Sequence, residues 1–379
     1  MRVLGALFLF LHGIAHLVGF RAAFWPASVP SRSSLLGGLV EIGYLSGRAL
    51  GVAWLLVAVG YLAAAGLIVS KGPGWTTLVF WVTAASLVMC VLFWPEARIG
   101  LYIDLAVLLT VFVVSRSSSE HLAETFREEV ERAALPTPAH KADLVTEQSI
   151  ETLPEPVKRY LRFMGVIGRP RDWSFKAHFK ARFRREPGEW LPCEALQYDT
   201  RLKLSRLFYM QLSLNGLPVT VRDTYLAGRG SMRAKALDLF PVVDGNGHEI
   251  DVGELVTYLN DAILMAPSLL LGPETTWQEV DANSFDVTLR DGLLSVKARV
   301  WLDQRGAPTD FSTTDRFFDQ PDGKRVQTEW RTPVRGWQRA GGRQLPTRAE
   351  AVWQLPGGPF VYADFSFDPA RVAFNVPPH

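Results

Sequence analysis

The sequence is poor in cysteine and lacks the familiar catalytic motifs. Cys90 and Cys193 are its only cysteines, so a disulfide framework and a paired-cysteine metal or redox motif are excluded. A GxSxG nucleophile turn, a GxxxxGK[ST] phosphate loop, an HExxH zinc motif and a GxGxxG dinucleotide turn are also missing. The lack of these motifs favours a protein that is not an enzyme, and we predict no cofactor.

Charged side chains are scarce in the first third of the chain. Residues 1–115 contain six basic and three acidic side chains, which leaves 34 basic and 35 acidic ones in the remaining residues. This asymmetry excludes a wholly soluble protein and a disordered chain. The near-neutral remainder lacks the basic excess typical of proteins that bind nucleic acids, so no nucleic-acid partner is expected.

Long apolar runs occupy the charge-poor part. They cover residues 3–20, 49–70, 74–95 and 99–115, and only the last run contains a charge, at Asp104. Because a spanning helix needs about 20 apolar residues, we predict four transmembrane helices within residues 1–115. Four spans put both ends of the region on one side, and the lysine and arginine distribution leans toward the cytoplasm.

Polar side chains inside these runs are candidates for function, since their burial in hydrocarbon is costly. His12 and His16 are four residues apart and therefore leave one face of the first helix. With Asp104 they form the candidate set for a metal, a haem, a quinone or a proton relay. The alternative, which we weight more heavily, is that they hydrogen-bond to neighbouring helices and bind no metal.

The first run also carries a family resemblance. RVLGALFLFLHGIAHLVGF is similar to the first helix of DoxX-like small membrane proteins, which have four spans. That resemblance implies quinone-linked redox work, and His16 departs from the family pattern. The four predicted spans place the protein in the bacterial cytoplasmic membrane as a multi-pass protein, with the side of the remaining chain undetermined.

After the apolar runs the pattern changes twice. Residues 116–168 have helical spacing and predict a linker or stalk. Residues 169–379 predict an antiparallel β domain of about 11–12 strands, because apolar residues alternate with polar ones and turn pairs such as Asp291-Gly292 recur. Strands that are neighbours in sequence are expected to pair.

One apolar helix interrupts the strands, at residues 251–266, where Asp251 and Glu254 are expected to cap its start. A helix this apolar should lie across the concave face of a curved sheet or half-barrel. The arrangement resembles the LolA/LolB-like lipoprotein carriers. Segments such as LPEPVKRYLRFMGVIG and VRDTYLAGRGSM are similar to an uncharacterised bacterial family with this β domain and, in some members, a four-span leader.

We therefore predict a membrane-anchored protein that holds a membrane lipid or another hydrophobic small molecule in the hollow of the sheet. The expected cavity residues are Phe175, Phe179, Phe183, Leu255, Tyr258, Leu259 and Met265. The expected polar rim consists of Arg222, Asp223, Tyr225 and Arg229. Two alternatives stay open: a membrane redox or proton-handling protein centred on the histidine pair, and a structural or interaction protein with a filled core.

Overall fold

The computed structural model describes residues 2–25, 34–70, 75–116, 119–133, 135, 138, 143–185, 187–214, 216–236, 240–320 and 323–377. The chain forms two compact units, Met1–Arg116 and Ser117–His379. Each unit has its own buried clusters of apolar side chains. The units are therefore described separately.

The first unit is helical. A two-stranded antiparallel ladder joins β1 (Ser34–Leu35) to β2 (Val40–Glu41). The helices are α1 (Arg2–Phe24), α2 (Tyr44–Ser70), α3 (Trp75–Leu92) and α4 (Arg98–Arg116).

Among the described residues, two helices are long and apolar enough to cross a membrane, Val3–Phe24 and Tyr44–Ser70. The described apolar stretch within α3, Leu78–Leu92, is a shorter apolar helix. Helix α4 carries Asp104 and is charged at both ends. The finding rests on length and composition, and it supports two of the four predicted spans.

Glycine lets α1 and α2 approach each other closely. A side-chain carbon at Gly13 would lie 2.9 Å from Cβ of Tyr61, and one at Gly19 would lie 2.5 Å from the Trp54 ring. Small residues allow such contacts between apolar helices. The close approach places Tyr61 and Trp54 beside the histidines of α1, with ring centroids 4.9 Å apart for His12 and Tyr61.

The second unit contains three helices and eighteen described strands, most of them in one sheet. The helices are α5 (Ser119–Arg132), α6 (Glu155–Met164) and α7 (His248–Met265). The longer strands are β3 (Ser174–Phe183), β4 (Leu191–Thr200), β5 (Ser205–Leu214), β6 (Leu217–Leu226), β7 (Arg229–Ala236), β8 (Phe240–Gly245), β9 (Thr275–Asp281), β10 (Ser284–Asp291), β11 (Leu294–Leu302), β12 (Pro308–Thr313), β18 (Arg348–Leu355) and β19 (Gly358–Ser366). The short strands are β13 (Phe317–Asp319), β14 (Arg325–Gln327), β15 (Trp330–Arg331), β16 (Trp337–Ala340), β17 (Arg343–Pro346) and β20 (Val372–Phe374).

Within the described residues, fourteen strands form one antiparallel sheet in the order β8-β7-β6-β5-β4-β3-β19-β18-β15-β12-β11-β10-β9, and β20 also pairs with β3. Sequence neighbours pair from β3 to β8 and from β9 to β12, as expected. The number of strands exceeds the predicted 11–12. Strands as short as β15 and β20 show no alternation that a sequence pattern could reveal.

The sheet is strongly curved around α7. This helix contacts β7 near one end of the strand order and β11 near the other. Nine strand spacings of about 4.8 Å would separate those strands by about 43 Å in a flat sheet, whereas a helix is only about 10–12 Å across. The sheet must therefore bend around the helix, which confirms the predicted curved antiparallel sheet with a helix on its concave face.

Helix α7 begins earlier than predicted, at His248 instead of Asp251. The Asp251 side chain does not cap the helix start, because it accepts a hydrogen bond from the backbone N–H of Gly230, 2.7 Å away. Glu254 is also not a capping residue, since it pairs with Arg206. The first two turns of α7 are therefore joined to the sheet by these two carboxylates.

The other two helices cover the sheet elsewhere. Leu122, Phe126 and Val130 of α5 follow the helical spacing noted in the sequence and pack on Tyr198, Leu207 and Tyr209. Those residues lie on β4 and β5, with side chains that alternate away from the main core. Helix α6 belongs to the main core, where the Tyr160 hydroxyl donates to the backbone oxygen of Ile263 at 2.6 Å.

Candidate functional site

A cavity of about 430 Å³ lies between α7 and the sheet. Most of its walls are apolar, and aromatic rings are prominent among them. The larger apolar lining residues include Phe179, Phe183, Phe208, Met210, Trp330, Trp353 and Phe365. The volume falls within the range of about 300–1,000 Å³ that is usual for small-molecule sites.

One face of α7 borders the cavity. Gly253, Thr257 and Leu264 are spaced as neighbours on one side of a helix, and all of them line the space. Leu255 and Leu259 point elsewhere and are fully buried in the main core. These two predicted cavity residues therefore do not line the cavity.

Met265 lines this cavity, as expected, but Tyr258 does not. Tyr258 borders a separate pocket of about 500 Å³ with Arg171 and Asp291. On α7, Tyr258 lies about 140° around the helix from Gly253, which faces the first cavity.

The three predicted cavity residues of β3 differ in where their side chains lie. Phe179 and Phe183 line the cavity, whereas Phe175 is fully buried and does not. Phe175 lies near the start of the strand, where its backbone pairs with Phe374 of β20. The Phe175 side chain packs in the main core there, so the hollow begins further along the strand.

A buried arginine stands among carboxylates at the cavity wall. Nη1 of Arg206 lies 3.1 Å from Oδ2 of Asp223 and 3.0 Å from Oε2 of Glu254, and Nε lies 2.7 Å from Oδ2 of Asp261. Gln197 donates to Asp261 at 2.7 Å and also to Asp199. Residues from β4, β5, β6 and α7 thus meet in one charged cluster, which we call the Arg206 cluster (Gln197, Asp199, Arg206, Asp223, Glu254 and Asp261).

The electrostatics of the Arg206 cluster follow from an excess of acid. Burial raises the pKa of Asp199 well above its ordinary value, and the neighbouring Asp261 raises it further. Burial likewise raises the pKa of Glu254, with Asp223 as a second cause. For Arg206, burial alone acts to lower the pKa, but the surrounding carboxylates hold it well above the ordinary value. The cluster therefore favours the charged arginine and resists full ionisation of its acids.

Only one of the four predicted rim residues lines the cavity, and that residue is Asp223. The Arg222 side chain projects from the opposite face of β6 and pairs with Glu129 of α5 at 2.5 Å. The Tyr225 hydroxyl donates to Oδ2 of Asp291 at 2.7 Å, and Arg229 is exposed and does not line the cavity. The strand's alternation explains why Arg222 is excluded.

Two polar atoms at the cavity have no hydrogen-bond partner among the described residues. They are Oδ1 of Asp223 and Nε of Arg316, both buried as atoms. The Arg316 guanidinium lies 4.4 Å from the centre of the Trp330 ring and 5.7 Å from that of Trp353. Stacking on indole rings positions this cation without using its N–H groups.

Sequence reasoning missed Arg206 and Arg316. A usable signal existed for Arg206, since residues 206, 208 and 210 of β5 point to the same face and two of them are Phe208 and Met210. A charge on the apolar face of a strand indicates a buried ion pair or a site. The position of Arg316 had no such signal, because it precedes a strand of only three residues.

The first unit contains a separate candidate centre, and it brings together His12, His16 and Asp104. Nε2 of His12 lies 2.9 Å from Oδ1 of Asp104, and Nε2 of His16 lies 2.6 Å from Oγ of Ser86. Ser86 Oγ is in turn 2.6 Å from Oδ2 of Asp104. All three candidate residues are buried.

The donor atoms of this set lie within 4.8 Å of one another, a spacing compatible with a metal ion. The geometry, however, is that of a hydrogen-bonded network. The Asp104 carboxylate also accepts from the Tyr61 hydroxyl at 3.0 Å. Each histidine nitrogen that faces the carboxylate or the serine already has a partner, so the residues fit mutual hydrogen bonding better than metal ligation.

The family comparison concerns the second unit. A family model described as "Family of unknown function (DUF6544)" matches residues 143–365, more than half of the chain. No curated protein matches the chain. The match begins after the helices of the first unit and gives no support to the DoxX-like resemblance or the four-span leader.

Among solved structures, the chain is similar to a LolA superfamily protein from Nitrosomonas europaea. The two are 14% identical, the similarity covers 59% of this chain and 92% of that one, and the TM-score is 0.27. The architecture of the β domain was likened above to the same superfamily. The curved antiparallel sheet is established by the strand pairing.

Proposed function

We propose that this chain, which belongs to the DUF6544 family of unknown function, binds a lipid or another small hydrophobic molecule in the cavity beneath α7. The observation that carries the proposal is the cavity itself, with a volume of about 430 Å³ and mainly apolar walls. A strongly curved sheet cannot fill its concave side with side chains alone, so a helix or a ligand must occupy the remainder.

The cavity has an apolar opening. Leu214, Met232 and Val242 line it and are more than a third exposed, at 38%, 37% and 46%. They lie on β5, β7 and β8, at one end of the strand order. Exposed apolar side chains at the edge of a pocket favour entry of an apolar ligand, because they lose water when it binds.

The ligand that fits best is amphipathic. Its apolar part would contact the aromatic wall, and a polar group would reach the unpartnered Oδ1 of Asp223 and Nε of Arg316. Both atoms are costly to bury alone, so a ligand that hydrogen-bonds to them gains affinity. The alternative of a structural protein with a filled core is disfavoured by the space under the helix.

The first unit, in the same proposal, anchors the protein in the bacterial cytoplasmic membrane. The two helices that pass the length and composition test support an anchor, and α3 and α4 complete four spans. The predicted division into residues 1–115, 116–168 and 169–379 stays part of this proposal, as does the weak lean toward a cytoplasmic β domain.

Photo-crosslinking of the full-length protein in nanodiscs tests the binding site. A diazirine-labelled fatty acid is added, and the labelled peptides are identified by mass spectrometry. We expect labelling on β3, β5 and α7 at the cavity walls. Labels confined to α1–α4 would contradict the proposal.

Gly253 offers a matched pair of variants. It faces the cavity from α7, and a side-chain carbon there would lie 3.9 Å from Nε of Arg316, with no closer neighbour. Gly253→Leu should fill the space and reduce cavity labelling about tenfold, whereas Gly253→Ala should leave labelling nearly unchanged. Both changes remove a helical glycine, which favours the helix by about 0.5–1 kcal/mol. Undiminished labelling in Gly253→Leu would exclude this cavity as the site.

A further inference from the structure

The buried network of the first unit holds Asp104 from three other helices. The carboxylate faces His12 of α1, Tyr61 of α2 and Ser86 of α3 at 2.6–3.0 Å. Cys90 of α3 lies further away, with Sγ 3.5 Å from Oδ2. These groups, together with His16, are the titratable and hydroxyl side chains that the packed helices direct at the carboxylate.

One branch of the network runs from His16 through Ser86 to Asp104, and its hydrogen bonds fix how many protons it holds. Nδ1 of His16 lies 2.8 Å from the backbone oxygen of His12. A carbonyl oxygen only accepts, so Nδ1 carries a proton and a neutral His16 has no proton left on Nε2. Ser86 stands between that Nε2 and Asp104, at 2.6 Å from each.

The Ser86 hydroxyl has one proton, and it cannot serve both contacts. If Ser86 donates to Asp104, then Nε2 of His16 must donate to Ser86, and the imidazole is positively charged. If Ser86 donates to His16, then Asp104 must donate to Ser86, and the carboxyl is neutral. In either arrangement the branch contains one proton more than a neutral His16 and an ionised Asp104.

We propose that His16, Ser86 and Asp104 form a proton-binding site that moves one proton between the imidazole and the carboxyl through the serine hydroxyl. In the transfer, the His16 Nε2–H bond breaks and a bond from that proton to Ser86 Oγ forms. The original Ser86 O–H bond breaks and an O–H bond to Oδ2 of Asp104 forms. An imidazolium and a carboxylate become two neutral groups, and no other reactant is needed.

Burial is a second reason to expect the extra proton on the branch of His16, Ser86 and Asp104. Asp104 is fully buried and His16 is 5% exposed, among helices that contain few charges. A net negative charge in such surroundings is costly. With the proton, both arrangements of the branch have zero net charge. The remaining bond, from Nε2–H of His12 to Oδ1 of Asp104, stays in place in both arrangements.

The test uses the full-length protein in detergent at neutral pH. Nitrogen NMR of histidine-labelled protein reports whether His16 has two N–H groups, with the signal assigned by its loss in His16→Gln. Infrared spectroscopy reports a protonated buried carboxyl, assigned by its loss in Asp104→Asn. We expect one of the two signatures, or a mixture that sums to one proton per chain.

Ser86→Ala removes the bridge and should abolish the shared proton, so that both signatures are lost at neutral pH. Ser86→Thr keeps the hydroxyl and should keep the signatures. Thr83→Val is the matched control, because Thr83 is a buried hydroxyl of the same helix that contacts Tyr61 at 3.0 Å and not His16. It should leave the signatures unchanged.

Three results would overturn the proposal. The first is a wild-type protein with neutral His16 and ionised Asp104. The second is an unchanged signature in Ser86→Ala. The third is one tightly bound metal ion per chain by elemental analysis, since a metal would take the place of the shared proton.

Discussion

Both units bury ionisable side chains, but the two units differ in how completely those side chains are hydrogen-bonded. In the first unit, the Asp104 carboxylate has hydrogen-bond partners on three neighbouring helices, and both of its oxygens are used. In the second unit, the Arg206 cluster borders a cavity, and Oδ1 of Asp223 has no partner among the described residues. A network whose polar atoms all have partners offers no hydrogen bond to a ligand. A network with unpartnered atoms leaves them for a ligand to satisfy.

The difference also separates two kinds of function in one chain. The network around Asp104 handles a proton, which needs no space. The Arg206 cluster adjoins a space of about 430 Å³, which a proton does not require. We therefore expect the two centres to respond differently when a single partner is removed.

The largest expected effect comes from Arg206→Met. The change removes the cation that compensates Asp223, Glu254 and Asp261, and leaves buried carboxylates unpaired. Removing one partner of a buried ion pair costs about 3–5 kcal/mol. The free energy of unfolding of the second unit, measured by urea denaturation of the full-length protein, should fall by that amount.

Arg233→Met is the control for that prediction. Arg233 pairs with Asp244, and both side chains are more than half exposed. Exposed pairs contribute little because water screens them. Equal losses in the two variants would mean that the Arg206 cluster is not electrostatically isolated from water.

A pair of tyrosine variants compares a buried hydroxyl that has hydrogen-bond partners with a buried hydroxyl that has none among the described residues. The Tyr61 hydroxyl contacts Asp104 and Thr83, whereas the Tyr258 hydroxyl is buried without a partner among the described residues. Tyr61→Phe should cost about 1–3 kcal/mol, because it removes a hydrogen-bond donor from the buried Asp104 carboxyl group. Tyr258→Phe should cost nothing or stabilise slightly. Thermal unfolding in detergent measures both, and the reverse order would break the comparison.

The smallest expected effect is a change in pH dependence with Asp199→Asn. Because the folded pKa of Asp199 is raised above its ordinary value, the folded state keeps a proton that the unfolded state has lost. The stability of the native protein therefore falls as pH rises from that ordinary value toward the raised folded one. Asparagine has no proton to lose and can still accept from Gln197.

Stability should thus fall less with rising pH in Asp199→Asn than in the wild type. Urea unfolding at a series of pH values checks this, and the stability difference between variant and wild type should grow in favour of the variant. Parallel stability curves for the two proteins would show that Asp199 is ionised in both the folded and the unfolded state.

Sequence patterns predicted the elements better than the sites. Leu122, Phe126 and Val130 lie on α5, within the residues for which helical spacing was predicted, and β3 lies within the residues for which alternating strands were predicted. These features depend on local periodicity, which is visible along the chain. The curved sheet with a helix on its concave face followed from the same patterns.

The interior of the cavity was only partly predictable. Phe179, Phe183 and Met265 line it, but Leu255 and Leu259 were expected there and lie in the core. The exact rotation of α7 decides this, and an almost uniformly apolar helix gives no signal for its rotation. The Arg206 cluster joins residues up to 64 positions apart, from Gln197 to Asp261, so their meeting depends on tertiary packing.

The central claim is that the cavity of the second unit holds an amphipathic or apolar molecule. The most direct measurement is denaturing extraction of the full-length protein, followed by mass spectrometry, with Gly253→Leu purified in parallel in the same detergent. We predict a small amphiphile that is enriched in the wild type and depleted in the variant. Identical extracts from the two proteins would contradict the claim, because detergent-bound lipid around the helices would then account for everything recovered.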